Sequence, residues 1–452
     1  MPTDLYQWFL AIERWLWAQA HSREEMSLSA QIDCCDFVRL SQNRVVQASK
    51  VDHIAVTLGL CQMNRSVSLG LSLPLDEQQA RQRLREALTR LRQWVNEVPE
   101  DPFREPYAPA LQTCSMDSCS GPEGHERSPV PALEAVEQIM LEAHGLDLVG
   151  LYASGPIAQA MATNSGHRHW HQTHQSFFDF AVYADKDKAF KDCCFGRDWN
   201  GADFAHKIAQ IRERLPVLSR PAKTISPGEH RALLAPQSVG DLLGLACWGG
   251  FSARAHLTED SPLRSLRLGQ EHWSPLVSLE DKLSDFGVPR VQENGYMRPD
   301  YMSLVEHGQF KNWYCSPRTA REFSVPHNFS SGGEGPSGLV MAAGSIAKED
   351  LLSSLDTGIF LSNVWYLNYS DRQSGRFTGM SRFASLWVED GRAVAPLTPV
   401  RFDDGFSRLF GDALIGLGQD QQVFGPTSTY GPRGMGGLKG PALLCSGLRV
   451  AS

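Results

Sequence analysis

No stretch of roughly 18 or more apolar residues occurs in this 452-residue sequence, so nothing in it reads as a membrane-spanning helix. Also missing are a GxxxxGKS or GxxxxGKT loop, a GxGxxG that follows a strand and opens a helix, and a GxSxG elbow. The common phosphate-cradling, dinucleotide-binding and serine-hydrolase devices are therefore excluded, and the glycine-rich Ser330–Gly338 lacks the lysine a phosphate loop needs. There is no HExxH or HExxxH either. The only His-Glu dipeptide, His125-Glu126, runs into Pro129 with no second histidine at the required spacing. Positive charge is in short supply: 43 Lys and Arg against 51 Asp and Glu leave a net charge of −8, which argues against nucleic-acid or anionic-membrane partners. The N-terminus has no basic region ahead of its apolar residues, and Asp4, Glu13 and Arg14 interrupt it. It reads as an amphipathic helix rather than a signal peptide, so a cytoplasmic location is expected. The ten cysteines then read as buried or free thiols; Cys114-x4-Cys119 lies in a Ser/Gly/Pro-rich loop without the second pair a zinc site would want.

What is present fits a large two-domain α+β protein. A 42% hydrophobic fraction is ordinary for a globular chain, and the length exceeds one ordinary core. Residues 1–220 read as helices packed on an antiparallel sheet, and residues 221–452 as a mostly-β domain. Leu5, Trp8, Phe9, Ile12, Trp15 and Leu16 recur at helical spacing, as do Ala80, Leu84, Leu88 and Leu91 behind Asp76. Strand patterns flank a Gln42-Asn43 turn. Further expectations are a long loop over 103–131, a helix from Ala132 to His144, a turn at Ser154-Gly155-Pro156, a helix over Asp203–Arg214, a proline-rich connection over 215–228 and a last helix over 406–417. The arginine-rich helix face of 81–92, balanced by Glu77 and Glu86, reads as solvated surface.

Strand and turn signals are densest in Ser354–Asp404, which reads as an antiparallel meander. Asn363, Tyr366, Asn368 and Arg382 are its candidate substrate-binding residues, because amides donate to and accept from a peptide backbone and a guanidinium neutralises a carboxylate. Pairing of Arg382 with Asp371 or Asp403 inside the sheet is the structural alternative. In GHRHWHQTH, alternation puts His167, His169 and His171 on one strand face, a possible metal cluster. Positions i and i+2 are about 6.5 Å apart along a strand, however, and no carboxylate or cysteine flanks them, so a structural role is the stronger reading.

GIFLSNVWYLNYSDRQSGRFTGMSRFASLWVEDGRAVAPL resembles the C-terminal signature of the TldD/PmbA family, also described as modulators of DNA gyrase. FVRLSQNRVVQA, DLVGLYASG, NSGHRHWH, Asp198-Trp199 and Pro289–Pro299 fit in the family's order. The resemblance implies a metalloprotease system in which catalytic members carry HExxxH on a helix and a further cysteine ligand in the C-terminal half. Here Gly244, Leu245 and Gly249 stand where His, Glu and His would be, and GLVMAAG at 338–344 has no cysteine. The resemblance therefore points to the TldE/PmbA branch, a non-catalytic subunit for processing unfolded or ribosomally made peptides. No metal is expected in this chain and zinc is expected in a TldD-like partner. The alternatives are a homodimeric peptide-binding or regulatory protein and an independent metallopeptidase with an atypical histidine site.

Overall fold

The computed structural model describes residues 4–116, 128–185 and 187–451; Cys119, His125 and Glu126 lie outside the described residues. Helix α1 (Leu5–Trp17) begins where the Asp4 carboxylate accepts the N–H groups of Tyr6 and Gln7, and it buries Trp8, Phe9, Ile12 and Leu16. Helix α2 (Glu77–Trp94) starts in the same way, with Asp76 accepting from Gln79 N–H, and buries Ala80, Leu84, Leu88 and Leu91.

Both helices lie on a seven-stranded sheet. Its strands are β1 (Glu25–Ser41), β2 (Arg44–Gln62), β3 (Arg65–Leu73), β4 (Gln112–Met116), β5 (Asp147–Thr163), β6 (Arg168–Asp185) and β7 (Lys188–Gly196). The spatial order is β3-β2-β1-β5-β6-β4, with β7 paired to the far half of β6. Gln42 and Asn43 both take positive φ (52° and 53°), the geometry whose twist suits a tight hairpin.

Side-chain alternation divides this sheet's work. Even positions such as Leu28, Ile32, Trp170, Phe178 and Phe180 meet α1 and α2 at one end and α3 (Ala132–Glu142) and α4 (Gly201–Leu218) at the other. Odd positions are buried as well, but Asp33, His169, His171, Thr173 and Gln175 are polar. Loops of the C-terminal half cover that face and supply the partners: His171 Nε2 lies 2.9 Å from the Gly287 carbonyl, and Gln175 Nε2 donates to the Gly434 carbonyl at 3.1 Å. The two halves thus meet across a polar layer.

The second sheet has thirteen strands. They are β8 (Gly228–Leu234), β9 (Leu279–Lys282), β10 (Tyr301–Glu306), β11 (Gln309–Phe310), β12 (Gly338–Met341), β13 (Gly358–Leu361), β14 (Asn363–Asp371), β15 (Arg376–Arg382), β16 (Leu386–Glu389), β17 (Arg392–Pro396), β18 (Arg401–Gly405), β19 (Leu414–Phe424) and β20 (Gly437–Val450). Its main path is β11-β10-β9-β12-β20-β8-β13-β16-β17, and β14-β15-β18 branches from β20. Helix α5 (Pro236–Cys247) packs Val239, Leu242, Leu243 and Ala246 into this domain's core. The architecture is α+β.

Several local expectations change. At Gly155-Pro156 the chain runs straight on in β5; Gly155 serves close approach to the Cys34 carbonyl, where a side chain would clash, and Pro156 only lacks a ladder donor. The 103–131 loop contains β4, parallel to β6. The proline-rich connection is helical to Leu218, with Pro216 confined to the last turn of α4. Of the helix expected over 406–417, only 406–412 is helical, widened to a π-helix over Arg408–Asp412 with Gly411 non-helical, before β19 begins at Leu414. Ser354–Asp404 is not a simple meander: β13, apolar on both faces, inserts parallel to β8, and β14 pairs with β15 alone.

Candidate functional site

Three of the four candidate residues converge at one end of the β14–β15 hairpin. Asn363 and Arg382 face each other in the register. Tyr366 takes φ +50° at a register shift between Trp365 and Asn368. This bulge swings consecutive side chains to the same side, so the Trp365 and Tyr366 rings stack at 5.0 Å and 2° instead of alternating across the sheet. Both rings are exposed, Tyr366 at 70%. The Arg382 guanidinium lies over Trp365 and 4.9 Å from the Phe383 ring. It pairs with neither expected aspartate: Asp403 is bound by Arg401 and Asp371 by Ser374. Among the described residues, Arg382 Nη1 and Asn363 Oδ1 are buried without a hydrogen-bond partner. Asn368 stands apart, accepting from Tyr369 N–H. Because β14 pairs with no strand but β15 among the described residues, its backbone presents an open edge there beside these rings.

A second aromatic group, not anticipated from the sequence, closes the C-terminus of α5. Tyr369 Oη donates to the Leu245 carbonyl at 2.6 Å, and Arg372 Nη2 to the Trp248 carbonyl at 2.7 Å, with the guanidinium 5.0 Å from the Trp248 ring and 5.1 Å from the Tyr369 ring. Three positions of this helix end bear on metal binding. Leu245 is part of the core, Gly244 is exposed with open space at its Cα, and a side chain at Gly249 would collide with Arg372 Nη2. Apolar packing at Leu245 and a guanidinium beside Gly249 thus take up two of the three positions, while Gly244 stands open.

His167, His169 and His171 do share one face of the GHRHWH segment, as alternation requires, and all three are buried. His167 Nδ1 meets the Pro109 carbonyl and His169 Nδ1 the Thr113 hydroxyl, while His171 turns to Gly287. Burial and the neighbouring imidazoles push His169 down to about 4. Among the described residues no group of three or more His, Cys, Asp or Glu is arranged to hold a metal ion.

Comparison with known proteins places this geometry. The family model for the PmbA/TldA metallopeptidase C-terminal domain matches residues 227–452. A Thermotoga maritima protein named for modulation of a DNA gyrase has a similar structure, with TM-score 0.74 and 18% identity over 98% of this chain and 100% of that one. TldE of Thermococcus kodakarensis is similar at TM-score 0.74 and 13% identity over 99% and 100% of the two chains. A Bacteroides thetaiotaomicron protein also named for DNA gyrase modulation follows at TM-score 0.71 and 12% identity over the full length of both. No curated protein matches the sequence.

Proposed function

The chain belongs to the PmbA/TldD family, and from that premise we propose that it is the non-catalytic, TldE-like subunit of a two-subunit metalloprotease acting on unfolded or ribosomally made peptides. What supports this reading is the lack of any HExxxH: with Leu242-Leu243 aligned on the apolar pair ahead of that motif, Gly244, Leu245 and Gly249 would stand where the resemblance puts His, Glu and His, and Arg372 lies beside Gly249. Zinc and its activated water would belong to a TldD-like partner. This chain would contribute a surface: the open edge of β14 can add a substrate strand through backbone hydrogen bonds, and Trp365, Tyr366 and Arg382 beside it would fix side chains and register.

Purified alone, the protein should carry no stoichiometric zinc and cleave no unfolded peptide, and mixing with an HExxxH-bearing homologue from the same genome should restore cleavage. One tightly held zinc per chain, lost when His169→Ala and His171→Ala are combined, would instead establish an independent metallopeptidase. Failure of any such homologue to associate would favour the homodimeric binding protein.

Within the reconstituted complex, Tyr366→Ala combined with Arg382→Ala should raise KM by about tenfold, the scale of one charge-assisted contact, with kcat nearly unchanged. Because Tyr366 is largely exposed, Tyr366→Ala alone should barely move the unfolding midpoint. An unchanged KM would remove these residues from substrate binding.

A further inference from the structure

Between the polar face of the first sheet and the loops 288–298, 331–337 and 433–435 lies a cavity of about 250 Å³. Gln31 and Gln159 line it from the sheet, and Gln292, Glu293 and Arg298 from the loops. Residues 290–298 form a small hairpin: Arg298 N–H donates to the Arg290 carbonyl and Gln292 N–H to the Tyr296 carbonyl, both at 3.0 Å, around a bridge between Val291 and Met297. Cross-strand pairs share a face, so Gln292 and Arg298 project to the same side on diagonal positions.

Both carry a donor that nothing among the described residues accepts. Gln292 is 5% exposed; its Oε1 accepts from Asn294 N–H at 2.8 Å, and its Nε2 has no partner among the described residues. Arg298 donates from Nη1 to Ser337 Oγ at 3.1 Å and from Nη2 to the Pro289 carbonyl at 3.4 Å, leaving Nε without a partner. The acid whose field reaches it, Asp281, is already held by Tyr314 Oη and the N–H groups of Ser337 and Gly338. The adjacent Arg433 shows what a fully committed arginine looks like here, bound to Asp33 and to the Gln175 and Gly155 carbonyls. Buried donors without acceptors are costly, and a guanidinium met only by a hydroxyl and a carbonyl retains its charge for a ligand.

We infer that this cavity binds a carboxylate, received by Arg298 and the Gln292 amide. Arg298, with no carboxylate hydrogen-bonded to it and with Glu293 beside it, suits a monoanion; the other cation lining the cavity, Arg433, is already paired with Asp33, so a phosphate dianion would find no second unpaired positive charge there. The volume has room for a small organic acid or for the terminal residue of a peptide, and the inference does not depend on the subunit reading above.

Calorimetric titration of the full chain with acetate, N-acetylglycine and N-acetylglycinamide tests this. The acids should bind and the amide should bind at least about tenfold more weakly than N-acetylglycine. Acetate binding as tightly as N-acetylglycine identifies a free small acid as the ligand; tighter binding of N-acetylglycine identifies a peptide C-terminus. Gln292→Glu keeps the acceptor for Asn294 N–H but replaces the free donor with an oxygen that can pair with Arg298. It should therefore keep the unfolding midpoint and weaken acid binding by at least about tenfold, and Arg298→Gln should weaken it similarly. The inference falls if neither acid binds at millimolar concentration, if the amide or inorganic phosphate binds as tightly as the acids, or if Gln292→Glu leaves affinity unchanged. The two donors would then be met by water.

Discussion

Asp33→Ala should destabilise the protein by about 3–5 kcal/mol, the cost of stranding one member of a buried ion pair. Asp33, on the polar face of β1, receives Arg433 through Nε at 3.0 Å and Nη2 at 2.8 Å, and also accepts Arg433 N–H at 2.9 Å. Arg433 is 3% exposed and binds the Gln175 and Gly155 carbonyls as well. This one side chain ties the tail ahead of β20 to three strands of the first sheet. Without Asp33 the guanidinium has no countercharge in a layer closed to solvent, and the tail should come away before the domains unfold. Chemical denaturation measures the loss, and proteolysis within 425–436 reports the detachment. Arg433→Met should cost a similar amount. Asp33→Ala combined with Arg433→Met should cost less than the sum of the two, because no charge is left alone. A strictly additive double variant would show that the pair does not act as a unit.

The second large effect should be acid sensitivity set by two histidines. Burial, reinforced by His171 and His167, holds His169 down to about 4; burial, with Arg267 and Arg264 nearby, does the same to His256. Both imidazoles stay neutral in the folded protein over a range where the unfolded chain, titrating near 6.5, is protonated. The unfolded state therefore binds more protons between about pH 6.5 and 4, so stability is full above that window and falls as pH drops through it. At about 1.4 kcal/mol per pH unit, each histidine would remove up to roughly 3 kcal/mol by pH 4. Two carboxyls act in the opposite sense: burial raises Glu105 to about 7 and Asp241 to about 6, so the folded state binds more protons there and they add stability as pH falls over part of the same range. The net slope is a difference, and single-site variants separate it. His169→Gln with His256→Gln should flatten the loss of denaturation midpoint between pH 6.5 and 4. An unaltered pH profile would mean that neither histidine is held neutral.

How much of this was legible in the sequence varied with the range of the interaction responsible. Apolar residues at helical spacing located α1 and α2, because a stripe of Trp8, Phe9, Ile12 and Leu16 has one way to be buried, and Asp4 and Asp76 marked both starts through capping. Alternation in GHRHWHQTH located a two-faced strand. It could not say what faced the histidines, since the covering loops at Gly287 and Gly434 lie more than a hundred residues away. The same limit explains the misread turn at Gly155-Pro156, where glycine answers to the Cys34 carbonyl on another strand. In the candidate site, aromatic and amide density drew attention to 363–382. The stacking of Trp365 on Tyr366 depended on a bulge that no local pattern announced, and the Trp248–Tyr369–Arg372 group joins residues from α5 and the far end of β14.

By itself the sequence determined the α+β class, the principal helices and strands, the family resemblance and the absence of a zinc-binding helix motif, all of which rest on residues close together in the chain or on their plain identity. Tertiary structure alone decided which polar residues are committed and which are not. Arg433 and Arg298 are both arginines in loops of the C-terminal half. One is spent on Asp33 and the other lines a cavity with a donor that has no partner among the described residues, because pairing is settled by distances that the folded layers fix and the order of residues does not.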